Sequence, residues 1–296
     1  MMAIGWRRRG EWAEFMPERR ILASEDALRA WLLETLRMPP NMLRQMLAED
    51  KIRTAGDRLR LHLFPEEAMT TEPADEPAEI LYEDDAVLVA YKPAGMAVHA
   101  TTTEQERRRN SLAHAVACHY AWTGQSLRVR HIHRLDTDTT GPVLIAKHAL
   151  PHAVLDADMR SKAIRRSYAA IVHGCPRTRA GTIDAPIGKD RHHPSRRRVS
   201  PTGSPAITHY AVEQAGRELT LVRLRLETGR THQIRVHMSH IGHPLAGDTL
   251  YGGDGRLFGR QALHGEALTF RHPLSGEWLE IQAPWPEDMA RLRQKI

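Results

Sequence analysis

Beyond residue 79 the chain returns repeatedly to short runs of aliphatic and β-branched residues, set in pairs around brief polar turns. ILYEDDAVLVAYKPAG reads as two strands about an acidic turn at Asp84-Asp85, ending in a second turn at Lys92-Pro93-Ala94-Gly95. Ile207 to Gln214 and Glu218 to Glu227 alternate about Ala215-Gly216, and Leu263 to Gln282 holds two more strands separated by Pro273 to Gly276. Ser111 to Trp122 is helical in character. Strand pairs outnumber helices, which predicts an α+β domain on a mixed, mostly antiparallel sheet, able to offer one face as a central cleft.

Residues 66–78, EEAMTTEPADEPA, place carboxylates among prolines and small residues with no apolar period, the composition of a linker. It divides the chain into a unit at 15–65 and a larger one at 79–296, expected to fold separately and to be loosely tethered. In the first, Leu28, Trp31, Leu32 and Leu36 recur at helical spacing behind a Ser24 cap, and Asn41 can cap a second helix through Leu47. KIRTAGDRLRLHLF then alternates about an Ala-Gly-Asp turn, so a small hairpin completes a helical and hairpin unit.

The 42 lysines and arginines exceed the 36 acidic residues, and the sequence pI is near 9.6, a balance that suits a polyanionic partner. Arg107-Arg108-Arg109 and Arg196-Arg197-Arg198 concentrate that charge, although either run could simply be a solvated loop. Cys118 and Cys175 are too few and too distant for a disulfide framework or a thiolate site. Neither a signal-like apolar stretch nor a run of about 18 uncharged apolar residues occurs, so a cytoplasmic protein without membrane contact is expected. His131-Ile132-His133 would turn both rings to one face of a strand, but no third ligand has a spacing rationale, and no metal is expected. LYGGDGR lacks the strand-to-helix setting of a phosphate loop, and no cofactor is expected.

Most informative is VRHIHRLDTDTTGPVLIAK, Val129 to Lys147, which starts as a strand, breaks at an Asp/Thr-rich stretch and resumes as an apolar strand from Val143 to Ala146. Side chains in such a break can enter a cleft. Read alone, Asp136 and Asp138 could equally bond local backbone amides and form only a turn.

HRLDTDTTG resembles the signature of the RluA family of RNA pseudouridine synthases. ILYEDDAVLVAYKPAG, RRSYAAIVHG and TGRTHQIRVHMSHIGHPLAGDTLYGG resemble further family stretches in the same order, so the resemblance spans residues 79 to 283. Residues 15–65 resemble the small alpha-L RNA-binding domain of a ribosomal small-subunit protein, with Ala55-Gly56 where that domain usually carries Asn-Gly. Two departures mark the larger unit. Thr139-Thr140-Gly141-Pro142 replaces the usual Thr-Ser-Gly-Leu, and Gly203-Ser204 stands for a usual Gly-Lys.

The resemblance implies a cofactor-free isomerase with Asp136 as catalytic carboxylate, Arg235 as its paired cation and Tyr168 as the aromatic face against which uracil packs. It implies that Arg134 helps displace the target base, and that Arg230, Lys92 and His133 also serve RNA contact. In the alpha-L unit, Arg37, Arg44, Lys51 and Arg53 would meet phosphates. A monomer acting on structured ribosomal or transfer RNA is expected. The residue types suit these roles: a guanidinium can occupy the place of an extruded base, and a tyrosine supplies a flat face and one hydroxyl. The sequence leaves open whether Asp136 attacks ribose C1′ or the uracil ring, and whether Tyr168 or water takes the C5 proton. Two other readings remain at this point: an inactive RNA-binding protein, and a carbohydrate hydrolase, for which no second carboxylate stands out and the aromatic content of 5% is low.

Overall fold

The computed structural model describes residues 4–296. The chain begins with strands β1 (Trp6–Arg9) and β2 (Trp12–Phe15), then helices α1 (Arg19–Leu22), α2 (Glu25–Glu34) and α3 (Pro40–Ala48), then strands β3 (Ile52–Ala55) and β4 (Arg58–His62). The four strands form one antiparallel sheet in the order β1-β2-β4-β3. Ser24 caps α2, its hydroxyl accepting from Ala27 N at 3.4 Å. The second helix starts one residue before Asn41, at Pro40, because a proline at the first helical position has no N–H to leave unpaired. The unit also begins earlier than residue 15. Its first strand carries Arg7-Arg8-Arg9, which hides a strand behind the charge of a solvated run, while Glu14 of β2 is buried and accepts from Arg7, Arg58 and Arg60.

After residues 66–78 come β5 (Ile80–Glu83), β6 (Val87–Lys92), α4 (Thr103–Arg108), α5 (Leu112–Trp122), β7 (Arg130–His131), β8 (Gly141–Ala146) and α6 (Ala149–Arg160). Their strands form a sheet ordered β5-β6-β8-β7. The last part contains β9 (Arg165–His173), β10 (Ala180–Asp184), β11 (Ile187–Lys189), β12 (Arg197–Val199), β13 (Ile207–Ala215), β14 (Leu219–Leu226), α7 (Gln233–His240), β15 (Leu263–Arg271), β16 (Trp278–Gln282) and α8 (Glu287–Arg293). Six of these strands form an antiparallel sheet, β10-β13-β14-β9-β15-β16, and β11 and β12 form a separate hairpin. The paired runs read from the sequence are therefore the hairpins of an α+β fold.

The six-stranded sheet and the β5-β6-β8-β7 sheet meet where Thr140 bridges His264 in parallel. The approach is so close that a Cβ on Gly141 would stand 2.5 Å from the Gly265 carbonyl oxygen, and Gly141 takes φ +134°. Only glycine accepts that combination of backbone and space.

The expectation of a loosely tethered first unit is corrected. Residues 66–78 have no helix or strand, yet Glu67 N, Ala74 N and Ala78 N donate to the carbonyls of Ser126, His114 and Ala115 at 2.9, 3.0 and 3.0 Å. Phe15, Leu36 and Phe64 share one apolar cluster with Val87, Leu144 and Phe270. The cause is visible in β8, in which every residue is buried, so both faces of the sheet need cover. Helix α5 and the large sheet supply one cover, through Val116 and Tyr168, which share a cluster with Leu88 and Ala90 of β6, and the N-terminal unit supplies the other.

A shared core predicts a single unfolding transition. Phe64→Ala should lower the stability of the whole chain by about 3–5 kcal/mol and shift one calorimetric peak without splitting it. Two peaks, of which only the first moves, would show that the units fold independently.

Candidate active site

Asp136 lies in the irregular segment between β7 and β8, with its carboxylate 21% exposed. The segment is held from beneath. Buried Leu135 anchors it, and Thr139 N closes a turn on the Asp136 carbonyl at 3.0 Å. Lys92, at the end of β6, donates from Nζ to the carbonyls of Pro93, Met96 and Thr137, each at 2.7 Å. Arg260 donates to the Asp138 carbonyl at 2.9 Å. Pro142 stands opposite Tyr91 in β8 without interrupting the register.

Lys92 is fully buried, which corrects its assignment as an RNA contact. Its ammonium ties the Thr137 carbonyl of the Asp136 segment to the Pro93–Met96 turn and does not reach a surface where a phosphate could sit. Burial pulls its pKa down to about 7, against the fields of Asp138 and Asp136. His133 is corrected in the same way. Its Nε2 accepts from Leu144 N at 3.2 Å, and burial, followed by the charge of Arg166, pulls its pKa down to about 3. A neutral, buried imidazole ties the segment to β8 but offers a phosphate no charge.

Arg235 rises from α7 and meets two carboxylates. Nε and Nη2 donate to the two oxygens of Asp248 at 2.7 and 2.9 Å, and Nη1 lies 3.4 Å from Asp136 Oδ2. Burial works against the charge of Arg235, but the hydrogen bonds and field of Asp248, with that of Asp136, more than offset it, and its pKa is raised. Asp248 is a buried partner that the sequence reading missed. Its position in PLAGDTLYGG was the available signal, since a carboxylate inside a stretch that packs into a core needs a cation. The Arg235 guanidinium also lies 5.0 Å from the centre of the Tyr251 ring. Tyr251 accepts from Arg197 N at 2.9 Å and its hydroxyl bonds His232 Nδ1 at 2.8 Å. His232 caps α7 in a left-handed conformation, φ +59°, which turns its ring to the cleft.

Tyr168 is buried on β9, where it pairs with Leu224 and Gly265. Burial raises its pKa. Strand alternation puts Arg166 on the same face, and this second residue was also missed although RRSY contains the spacing. Arg134 and Arg230 are exposed at the rim, and Arg230 Nε donates to the Pro205 carbonyl at 2.9 Å. Asp136, Arg134, Tyr168, Arg230, Arg235 and His133 thus line one cleft of about 430 Å³. Separated by up to 102 positions in sequence, they converge because the β7–β8 segment, β9 and α7 meet there.

The four cations proposed for the N-terminal unit differ in availability. Arg37 is bound to Asp158 of α6 at 2.5 Å, Lys51 to Glu49 at 2.6 Å, and Arg53 to Asp50 at 2.9 Å. Arg53 also covers the Trp12 ring. Only Arg44 is exposed without a carboxylate partner among the described residues, so Arg37 is corrected to a contact between units. No helix among the described residues is long and apolar enough to cross a membrane.

The family described as RNA pseudouridylate synthase matches residues 86–240. The uncharacterized RNA pseudouridine synthase YhcT of Bacillus subtilis is 42% identical over 285 residues, covering 96% of this chain and 92% of its own. Ribosomal large subunit pseudouridine synthase D of Vibrio parahaemolyticus is 41% identical over 256 residues, covering 81% and 77%. The structure of human RNA pseudouridylate synthase domain containing 1 superposes with TM-score 0.58 at 25% identity, over 73% of this chain and 86% of that one.

The buried lysine gives a pH test. With a folded pKa of about 7 against an ordinary 10.5, Lys92 binds fewer protons in the folded chain between those values. Its contribution to stability therefore rises with pH across that window, is full above 10.5 and is gone once pH has fallen to about 7. Denaturant titrations should show wild type gaining on Lys92→Met from pH 7 to pH 10. A constant or shrinking difference would contradict a depressed Lys92.

Proposed function

The chain belongs to the RNA pseudouridylate synthase family, an isomerase that converts uridine in RNA to pseudouridine, and from that premise we propose that Asp136 is its catalytic carboxylate, acting on a uridine extruded into the cleft. The observation that carries this reading is the placement of one accessible carboxylate beside a locked arginine and a buried tyrosine face in the same pocket. The reaction breaks the bond from C1′ to N1, turns the base, and forms the bond from C1′ to C5. One proton leaves C5 and one is taken at N1, so the product is an isomer and no redox partner enters.

In this reading each side chain acts through its ordinary chemistry. Asp136 supplies the negative charge that meets the reacting uridine, and Arg235, fixed by Asp248, orients it through a single Nη1 contact. Tyr168 packs against the uracil, and its hydroxyl stands near the C5 proton. Arg134, free at the rim, takes the space that the base leaves. The relatives named for the ribosomal large subunit make large-subunit ribosomal RNA the substrate we favour. An enzyme of that RNA works in the cytoplasm, and Arg44 would be an outlying phosphate contact.

Asp136→Asn retains the shape and removes the charge. It should abolish release of tritium from RNA labelled at uracil C5 while leaving RNA affinity within a few-fold. A variant retaining more than a few per cent of the rate would remove Asp136 from the chemistry.

The roles of the Tyr168 ring and hydroxyl separate in two variants. Tyr168→Phe should still cleave the glycosidic bond and stall before product, whereas Tyr168→Ala should lose both steps. Equal losses would leave stacking unsupported.

A further inference from the structure

The cleft holds several cations, and their partners differ. Arg235 is committed to Asp248 and Asp136. Arg160 is paired with Asp156, and Lys162 lies 3.4 Å from Glu227. Arg230 donates to a carbonyl, and Arg134 extends into water. Arg166 fits none of these descriptions. It is half-buried, it has no carboxylate partner among the described residues, and its Nε is shielded from water with no acceptor.

A guanidinium withdrawn from water without a counter-charge is unfavourable unless a ligand supplies one. The chain nevertheless makes room for it. Gly229 stands opposite, and a Cβ there would lie 3.0 Å from Nη1 and 3.3 Å from Nη2. Any larger residue would press on the guanidinium. Arg166 also sits two residues before Tyr168 on the same face of β9, so its charge is adjacent to the proposed uracil platform. Its field reaches both the Tyr168 hydroxyl and the His133 ring.

We propose that Arg166 binds a phosphodiester flanking the target uridine and so fixes the extruded nucleotide against Tyr168, an inference that rests on reading the cleft as the uridine site. The phosphodiester is the anion that an RNA strand offers, and the planar guanidinium fork matches two of its oxygens. A neutral uracil carbonyl could accept from Arg166 but would leave its charge uncompensated. The two ligands differ in their salt dependence, because only the phosphate releases a counterion when bound.

The test uses the full chain with Asp136→Asn, so that no substrate turns over, and an oligocytidylate holding one uridine as the probe. Replacing Arg166 with Gln should weaken binding several-fold and flatten the slope of log K against log salt by about 0.7, and Arg166→Lys should restore the slope. A methylphosphonate placed 5′ or 3′ of the uridine should weaken binding to the Arg166 protein at one of the two linkages and leave the Gln variant unmoved. The wild-type residue alone keeps the proposal falsifiable if the Gln variant melts: if neither neutral linkage weakens binding, Arg166 holds no flanking phosphate. A Gln variant with the parental affinity and slope would overturn the proposal equally. Tritium release by the unmutated chain separates the two readings. Without release, the cleft's assignment fails. With release but no Arg166 effect, only the phosphate contact fails.

Discussion

The site depends on one arginine held between two carboxylates. Asp248 takes two of the nitrogens of Arg235 and, being buried, cannot exchange them for water. One nitrogen remains for Asp136, at a longer distance. That asymmetry matters because an arginine free to turn would chelate Asp136 with its fork and occupy the oxygens that, in the function proposed above, meet the substrate. On that proposal Asp248 is a positioning residue, and the Tyr251 ring, 5.0 Å from the guanidinium, restricts the remaining freedom. Through its hydroxyl, Tyr251 also connects this cluster to the backbone of the β11–β12 hairpin at Arg197.

The second constraint is burial on both faces of the sheet that carries the Asp136 segment. A strand such as β8, apolar on both sides, cannot stand at a surface. Covering it recruits the N-terminal unit on one side and the large sheet on the other, so the unit that resembles an RNA-binding module is also part of the scaffold. The Asp136 segment is consequently held by rigid neighbours: Lys92 below it, Arg260 at its side and the Gly141–Gly265 contact at its end. A carboxylate positioned this way loses little freedom when a substrate arrives.

The hairpins were legible in the sequence because alternation and turn residues are local signals, and the Ser24 cap was legible for the same reason. The convergence of Asp136, Tyr168 and Arg235 came from the family resemblance, since nothing in their spacing shows that a loop, a strand and a helix meet. What escaped was burial and partnership. Lys92 and His133 carry polar labels in sequence, and only the packed chain shows that Lys92 holds the Thr137 carbonyl of the Asp136 segment and that His133 ties the segment to the Leu144 amide of β8. Arg37 reads as a free cation until Asp158, 121 residues away, closes on it. The charge of β1 concealed a strand that pairs with β2. In each case the missing information is the long-range partner, which composition and period do not contain.

The proposed geometry of Asp136 requires Asp248 to act through Arg235. The direct measurement is the rate of C5 tritium release by Asp248→Asn at saturating RNA, alongside its RNA affinity and melting temperature. A folded variant should lose at least about tenfold in rate, equivalent to about 1.4 kcal/mol at the barrier, with affinity within a few-fold of wild type. An unchanged rate would contradict the claim that the locked arginine sets the geometry of Asp136.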